Sequence, residues 1–179
     1  MNKAWLKAKL PFIVAFFGLL LGSTILFLPL LDTFLSGDAL SIQSYALINF
    51  TSYLFFTMTF IELLFAQMVR LGTNPFLLVF VAVTTSLLAL TVDYFIGFFF
   101  SKSFLSKIIT EKKLDKYRGT IEKYGNPAIF VFNVFPLSSP MLTLAAGIVR
   151  YDFRKVLLFS SLGLVIKYSA IAFFIINIL

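Results

Sequence analysis

The chain contains no cysteine and no histidine. Disulfide bridges and thiolate chemistry are thereby excluded, as are zinc and iron sites of the common kinds and any mechanism that rests on an imidazole base. No metal and no cofactor is expected. Charge is scarce as well: 13% of the 179 residues are charged, against roughly a quarter in soluble domains. What fills the chain instead is apolar, 60% of it, with 24 phenylalanines. A soluble core of this length cannot enclose so much apolar surface, because small domains keep a high surface-to-volume ratio. A bilayer is the solvent that resolves the imbalance. The net charge of +7 would in a soluble protein raise nucleic acid as a partner. In an apolar chain it is expected on the cytoplasmic side, against anionic lipid, and no nucleic-acid partner is expected.

The first 31 residues begin basic and become apolar from Leu10. That apolar run is too long for a signal-peptide core, and no small-residue cleavage site follows, so a retained first span is expected. Trp5 beside Lys3, Lys7 and Lys9 suits an interfacial anchor with the N-terminus in the cytoplasm. Gly18 and Gly22 form a G-x-x-x-G, which serves a close helix contact or arises by chance in a glycine-tolerant span. The stretch that follows carries Asp32 and Asp38 and no cation, and is expected outside. Residues 1–45 therefore read as a transmembrane anchor and an outer loop.

The remaining order follows from charge parity. Two apolar runs, 46–70 and 75–100, precede the basic stretch 102–123, in which Phe104, Ile108, Leu114, Tyr117 and Ile121 recur at helical spacing. That stretch reads as an amphipathic helix on the cytoplasmic face. If both preceding runs crossed the membrane, the basic helix would face outward, against the positive-inside rule. One of them must enter and leave on the same face, and the polar content of 46–70 selects it. The same parity applies to 124–149, which is followed by Arg150, Arg154 and Lys155. This segment contains NVFPLSSP, a polar, proline-broken stretch in the middle of an apolar run. A turn built from Pro136, Ser138, Ser139 and Pro140 lets the chain reverse inside the membrane, the hydroxyls satisfying freed backbone groups beside a cavity. The run 156–179 then crosses back.

The expected fold is an all-α polytopic membrane protein. Two re-entrant helical hairpins, each followed by a transmembrane helix, form an inverted repeat over residues 46–179. A weak internal match supports it at an offset of 80 residues, with AQMVR (66–70) over AGIVR (146–150). Inverted repeats place a binding site at the bilayer midplane between the halves, a transporter arrangement.

Three ionisable side chains lie at expected membrane depth: Glu62, Asp93 and Lys167. Each costs about 2.5–3.5 kcal/mol there unless paired or solvated. Either they form a proton relay or a counter-charge for a headgroup, or Lys167 forms a structural ion pair with Glu62 or with Asp93. Asn133, Ser138 and Ser139, with Pro136, Pro140 and Gly147, line the expected cavity, or cap the hairpin backbone. No H-E-x-x-H, G-x-S-x-G or paired-carboxylate spacing is present, and no enzyme is expected.

Taken in order, several motifs resemble one family. Glu62 lies in the first hairpin, and Tyr94-Phe95-Ile96-Gly97 forms a Y-x-x-G late in a span. Lys123-Tyr124-Gly125 ends the basic stretch. Pro136 is followed by Ala146-Gly147, and Lys167-Tyr168 lies in the last span. Over about residues 46–175 these are similar to the DedA family, also called the VTT or SNARE-associated Golgi protein family, and more narrowly to its YqaA-like branch. The resemblance implies movement of lipid between leaflets, of phospholipid or polyprenyl phosphate, coupled in some members to the proton gradient, with Glu62 as the protonatable group. Asn133 and Ser139 stand where better-studied members carry arginines, and Phe98 where an arginine is usual. Phosphate recognition normally uses such arginines, so their absence weakens the polyprenyl-phosphate version. The expected partners are membrane lipids, a homo-oligomer being left open, and the expected location is the cell membrane. A small-solute or ion transporter and a non-transporting scaffold are the alternatives.

Overall fold

The computed structural model describes residues 41–54, 61–99, 111–135 and 137–178. The chain divides into the units Met1–Leu40 and Ser41–Leu179, and every element below belongs to the second. The expected first span, residues 102–110 of the expected amphipathic helix, and Pro136 lie outside the described residues.

Among the described residues there are seven helices and no strand. They are α1 (Ile42–Tyr53), α2 (Ile61–Arg70), α3 (Pro75–Phe99), α4 (Glu111–Tyr124), α5 (Asn126–Val134), α6 (Ser139–Ile148) and α7 (Phe153–Ile178). Two stretches, Pro75–Phe99 and Phe153–Asn177, are long and apolar enough to cross a membrane. They carry large exposed apolar side chains, among them Phe76, Phe80, Leu88, Phe173 and Phe174. The other five are short.

Local chemistry sets the boundaries. Pro75, Pro127 and Pro140 each sit in the first turn of a helix, where the missing N–H has no intrahelical partner to lose. Pro140 thus begins α6 rather than forming the tip of a turn. The end of α2 and the start of α3 share one motif. Gly72 takes a positive φ of 84°. Its N–H donates to the Val69 carbonyl, and the Thr73 N–H donates to Met68, a Schellman closure. Asn74 Oδ1 then accepts from Phe76 N at 3.0 Å and caps α3.

The same motif recurs 78 residues later. Arg150 has φ 55°, its N–H donates to Gly147, and Tyr151 N–H donates to Ala146. Asp152 Oδ1 accepts from Arg154 N at 2.9 Å and caps α7. The structural register of the repeat is therefore 78, not the 80 suggested by the AxxVR match. Cap geometry fixes where each long helix starts, whereas short matches in an apolar alphabet slide freely.

Packing repeats with the same exchange of halves. α1 packs on α3 and α5 on α7, α2 packs on α7 and α6 on α3, and the two long helices touch. In each half a buried asparagine pins the short first helix to the long one. Asn49 Nδ2 lies 2.9 Å from Ala82 O, 2.6 Å from Thr85 Oγ1 and 3.0 Å from Ser86 Oγ. Asn133 Nδ2 donates to Ile129 O at 2.8 Å and to Ser160 Oγ at 3.2 Å. Ser160 stands 78 positions after Ala82.

The segment α5–α6 is a hairpin whose ends meet. Tyr151 Oη donates to Asn126 Oδ1 at 2.7 Å, and Ala128 near its start shares an apolar cluster with Ala146 near its end. The Tyr94 hydroxyl donates to the Tyr151 carbonyl at 2.5 Å, tying α3 to the same point. At the α3–α6 crossing the backbones touch. A Cβ on Gly97 would lie 2.0 Å from Leu144 O, and one on Gly147 would lie 2.1 Å from Tyr94 O. Small residues permit this approach, and both ends of Tyr94-Phe95-Ile96-Gly97 are explained by it.

The expected amphipathic pattern of 102–123 is present in α4, the part of it that lies within the described residues, and its apolar side meets protein. Within α4, Leu114 and Ile121 are buried, and Tyr117 meets Phe132 edge-on at 5.9 Å. The apolar stripe is covered by α5 and α6, so it is not free to enter lipid. The charged face stays exposed, with Arg118 reaching Asp115 at 3.6 Å and Glu122 at 3.7 Å.

Candidate functional site

The site is built where α1, α2, α3 and α7 meet. The buried face of α1 presents Tyr45, Ile48, Asn49, Ser52 and Tyr53, which recur every three or four positions as one helical face requires. On α7, Lys167 and Tyr168 point inward, 6% and 0% exposed. On α2, Glu62 stands in the first turn.

Lys167 Nζ is 2.9 Å from Glu62 Oε1, and donates to the Tyr53 hydroxyl at 2.5 Å. It also lies over two aromatic faces, 5.2 Å from the Tyr53 centroid and 4.9 Å from that of Tyr168. The Tyr168 hydroxyl donates to Asn49 Oδ1 at 3.1 Å and lies 3.4 Å from the Tyr53 hydroxyl. Phe65 stacks obliquely on Tyr168 at 4.8 Å. A continuous polar chain thus runs Glu62–Lys167–Tyr53–Tyr168–Asn49 and ends on the backbone of α3. The ammonium is satisfied by a carboxylate, a phenol and two ring faces, which is how a buried cation is held at tolerable cost.

Of the three expected membrane charges, Lys167 and Glu62 are brought together. Asp93 is not. It is fully buried on α3, and neither carboxyl oxygen has a hydrogen-bond partner among the described residues. Glu62 remains the accessible end of the pair, with 23% of its side chain exposed.

The second hairpin presents a different picture. Asn133 and Ser139 are buried. Ser139 Oγ donates to Phe132 O at 2.7 Å, satisfying a carbonyl at the broken end of α5. Asn133 holds α5 to α7, and its Oδ1 has no hydrogen-bond partner among the described residues. Ser138 caps α6 without a side-chain bond. Gly147 lies at the far end of α6 against α3, away from the tip. Asn133 and Ser139 therefore spend their donors on backbone carbonyls and on Ser160.

Tyr53 and Tyr168 were not among the expected site residues. Tyr168 entered only as the second residue of the Lys167-Tyr168 motif, which gave it no polar role of its own. Asn49 is the residue whose polarity in an apolar stretch could have drawn attention. Among the described residues no group of three His, Cys, Asp or Glu side chains could hold a metal ion.

Compared with known families, residues 52–177 match the family model described as VTT domain. No curated protein and no solved structure matches the chain.

Proposed function

This chain belongs to the VTT-domain family, and from that premise we propose that it carries lipid, phospholipid or polyprenyl phosphate, between the leaflets of a cell membrane. The domain is associated with transporter-type and flippase-like membrane proteins. The order of motifs favours the YqaA-like branch, and Asn133 and Ser139 in place of arginines weaken the polyprenyl-phosphate version. The N-terminus lies in the cytoplasm.

The observation that carries the reading is the Glu62–Lys167 pair. It is an ion pair between the first hairpin and the last long helix, with its carboxylate end reachable. Charges at membrane depth are retained where they serve a polar cargo or a proton. In this reading α1–α2 and α5–α6 are re-entrant. Helices of 9 to 12 residues span only about 14–18 Å at 1.5 Å per residue, roughly half of a hydrocarbon core. α3 and α7 cross in opposite directions, and the repeat is inverted. The headgroup travels between the hairpins while the acyl chains stay in lipid. A proton arriving on Glu62 cancels its charge and leaves Lys167 held by the Tyr53 hydroxyl and two tyrosine rings, which loosens α2 from α7. The chain is a carrier with no catalytic chemistry.

The test is leaflet exchange of acyl-labelled phosphatidylcholine in liposomes holding the full-length protein, with and without a pH gradient. Exchange above that of empty liposomes is expected, with acceleration by the gradient that Glu62→Gln loses. No exchange of phosphatidylcholine or of polyprenyl phosphate overturns the reading in favour of a solute transporter or a scaffold.

A further inference from the structure

The segments 42–69, 75–99, 126–149 and 156–178 contain Glu62, Asp93 and Lys167 and no other Asp, Glu, Lys or Arg. The seven residues between α1 and α2 in sequence, LFFTMTF (54–60), are uncharged, and the second hairpin supplies neither an acid nor a base. Asp93 is sealed from solvent and makes no ion pair with Lys167. The cluster can therefore offer an incoming headgroup one charge of each sign and no surplus of either.

The two charges differ in setting. The ammonium of Lys167 is enclosed by the faces of Tyr53 and Tyr168 and by Glu62. A carboxylate with two tyrosine rings is a surrounding suited to any alkylammonium group, and in this closed arrangement Lys167 itself occupies it. Glu62 is the exposed end, so an arriving cation meets it first.

We propose that this cluster selects lipids whose headgroup carries both a phosphate and an ammonium over lipids whose headgroup is a net anion, by opening its ion pair onto the headgroup's own two charges. The inference rests on the lipid-carrying reading above. A zwitterionic headgroup exchanges one ion pair for two: Glu62 and the tyrosine rings take the ammonium, and Lys167 takes the phosphate. No net charge enters the low-dielectric site. An anionic headgroup satisfies Lys167 but strands Glu62 beside a second negative charge, with no further cation in either hairpin to offset it.

The experiment uses the full-length protein in liposomes with two tracers of identical labelled acyl chains, phosphatidylethanolamine and phosphatidylglycerol. The ethanolamine tracer is expected to exchange faster by at least about tenfold, since an uncompensated charge at membrane depth imposes roughly 70-fold at its lower end. Glu62→Gln leaves Lys167 alone, and the preference is expected to turn toward the glycerol tracer. Lys167→Gln leaves Glu62 alone and is expected to slow the glycerol tracer further. Both variants break the same ion pair, so opposite preferences cannot arise from a shared loss of fold. Equal rates for the two tracers in the unmodified protein overturn the inference and leave lipid carriage standing. So do variants that change both tracers alike. Absence of exchange for either tracer in the unmodified protein overturns both.

Discussion

Glu62 and Lys167 share one bond but not one environment, and removing either tests a different thing. Lys167 is almost wholly enclosed, whereas Glu62 keeps a route to the surface. Replacing Glu62 by Gln strands an enclosed ammonium with the Tyr53 hydroxyl, two tyrosine rings and an amide oxygen but no counter-charge. Replacing Lys167 by Met strands a carboxylate that polar surroundings can still reach. Breaking a buried pair from one side is destabilising because of the charge left behind, not the bond lost. Glu62→Gln is expected to lower stability by about 2 kcal/mol, and Lys167→Met by about 1 kcal/mol or less. Thermal unfolding in the same detergent gives the ordering, and the reverse order would mean that Lys167 is less enclosed than the structure has it. That Glu62 and Lys167 are candidates was legible in the sequence, because charged side chains stand out in apolar runs. Their partnership was not. Asp93 was an equal candidate for Lys167 by composition, and only the packing of α2 against α7 decides between them. Tyr53 was invisible because an aromatic in an apolar stretch is ordinary.

At the scale of elements, glycines separate what sequence patterns reveal from what they hide. Y-x-x-G was legible as a motif, but its meaning lies in contact: Gly97 admits the Leu144 carbonyl, and Tyr94 reaches the turn before α7. A methyl group on Gly97 meets backbone, which cannot swing aside as a side chain can. Gly97→Ala is expected to destabilise by about 3 kcal/mol, at the upper end of overpacking penalties. Gly119, inside the exposed face of α4, has nothing within 4 Å of an added Cβ. Gly119→Ala is expected to stabilise by about 0.5–1 kcal/mol through helix propensity alone. Paired melting curves check both, and a harmless Gly97→Ala would remove the close α3–α6 crossing from the fold. The all-helical character and the two long apolar helices were legible in the apolar runs. The burial of α4 was not, since a stripe of Leu114, Tyr117 and Ile121 looks the same whether lipid or protein covers it.

For the whole molecule, the internal repeat is a symmetry of packing that the chemistry breaks. Under the 78-residue register the α3–α6 interface corresponds to α7–α2. The first is closed by Gly97 and Gly147 with backbones touching. The corresponding positions in the second are Ile175 and Val69, which are too large for the same approach. The second interface is held instead by Lys167, Glu62 and the tyrosines. The α6 residues Ser139 to Gly147 are all buried, whereas α2 leaves Leu63 63% exposed. One hairpin is thus clamped by shape and the other latched by charge, and a latch of this kind opens at lower free energy than a packed crossing. Amide hydrogen exchange on the protein in lipid nanodiscs is expected to be faster in Ile61–Arg70 than in Ser139–Ile148. Lys167→Met is expected to accelerate exchange in α2 and leave α6 unchanged. Equal protection of the two helices, or a Lys167→Met effect spread evenly over both, would mean that the halves open together and that the ion pair does not govern the first hairpin.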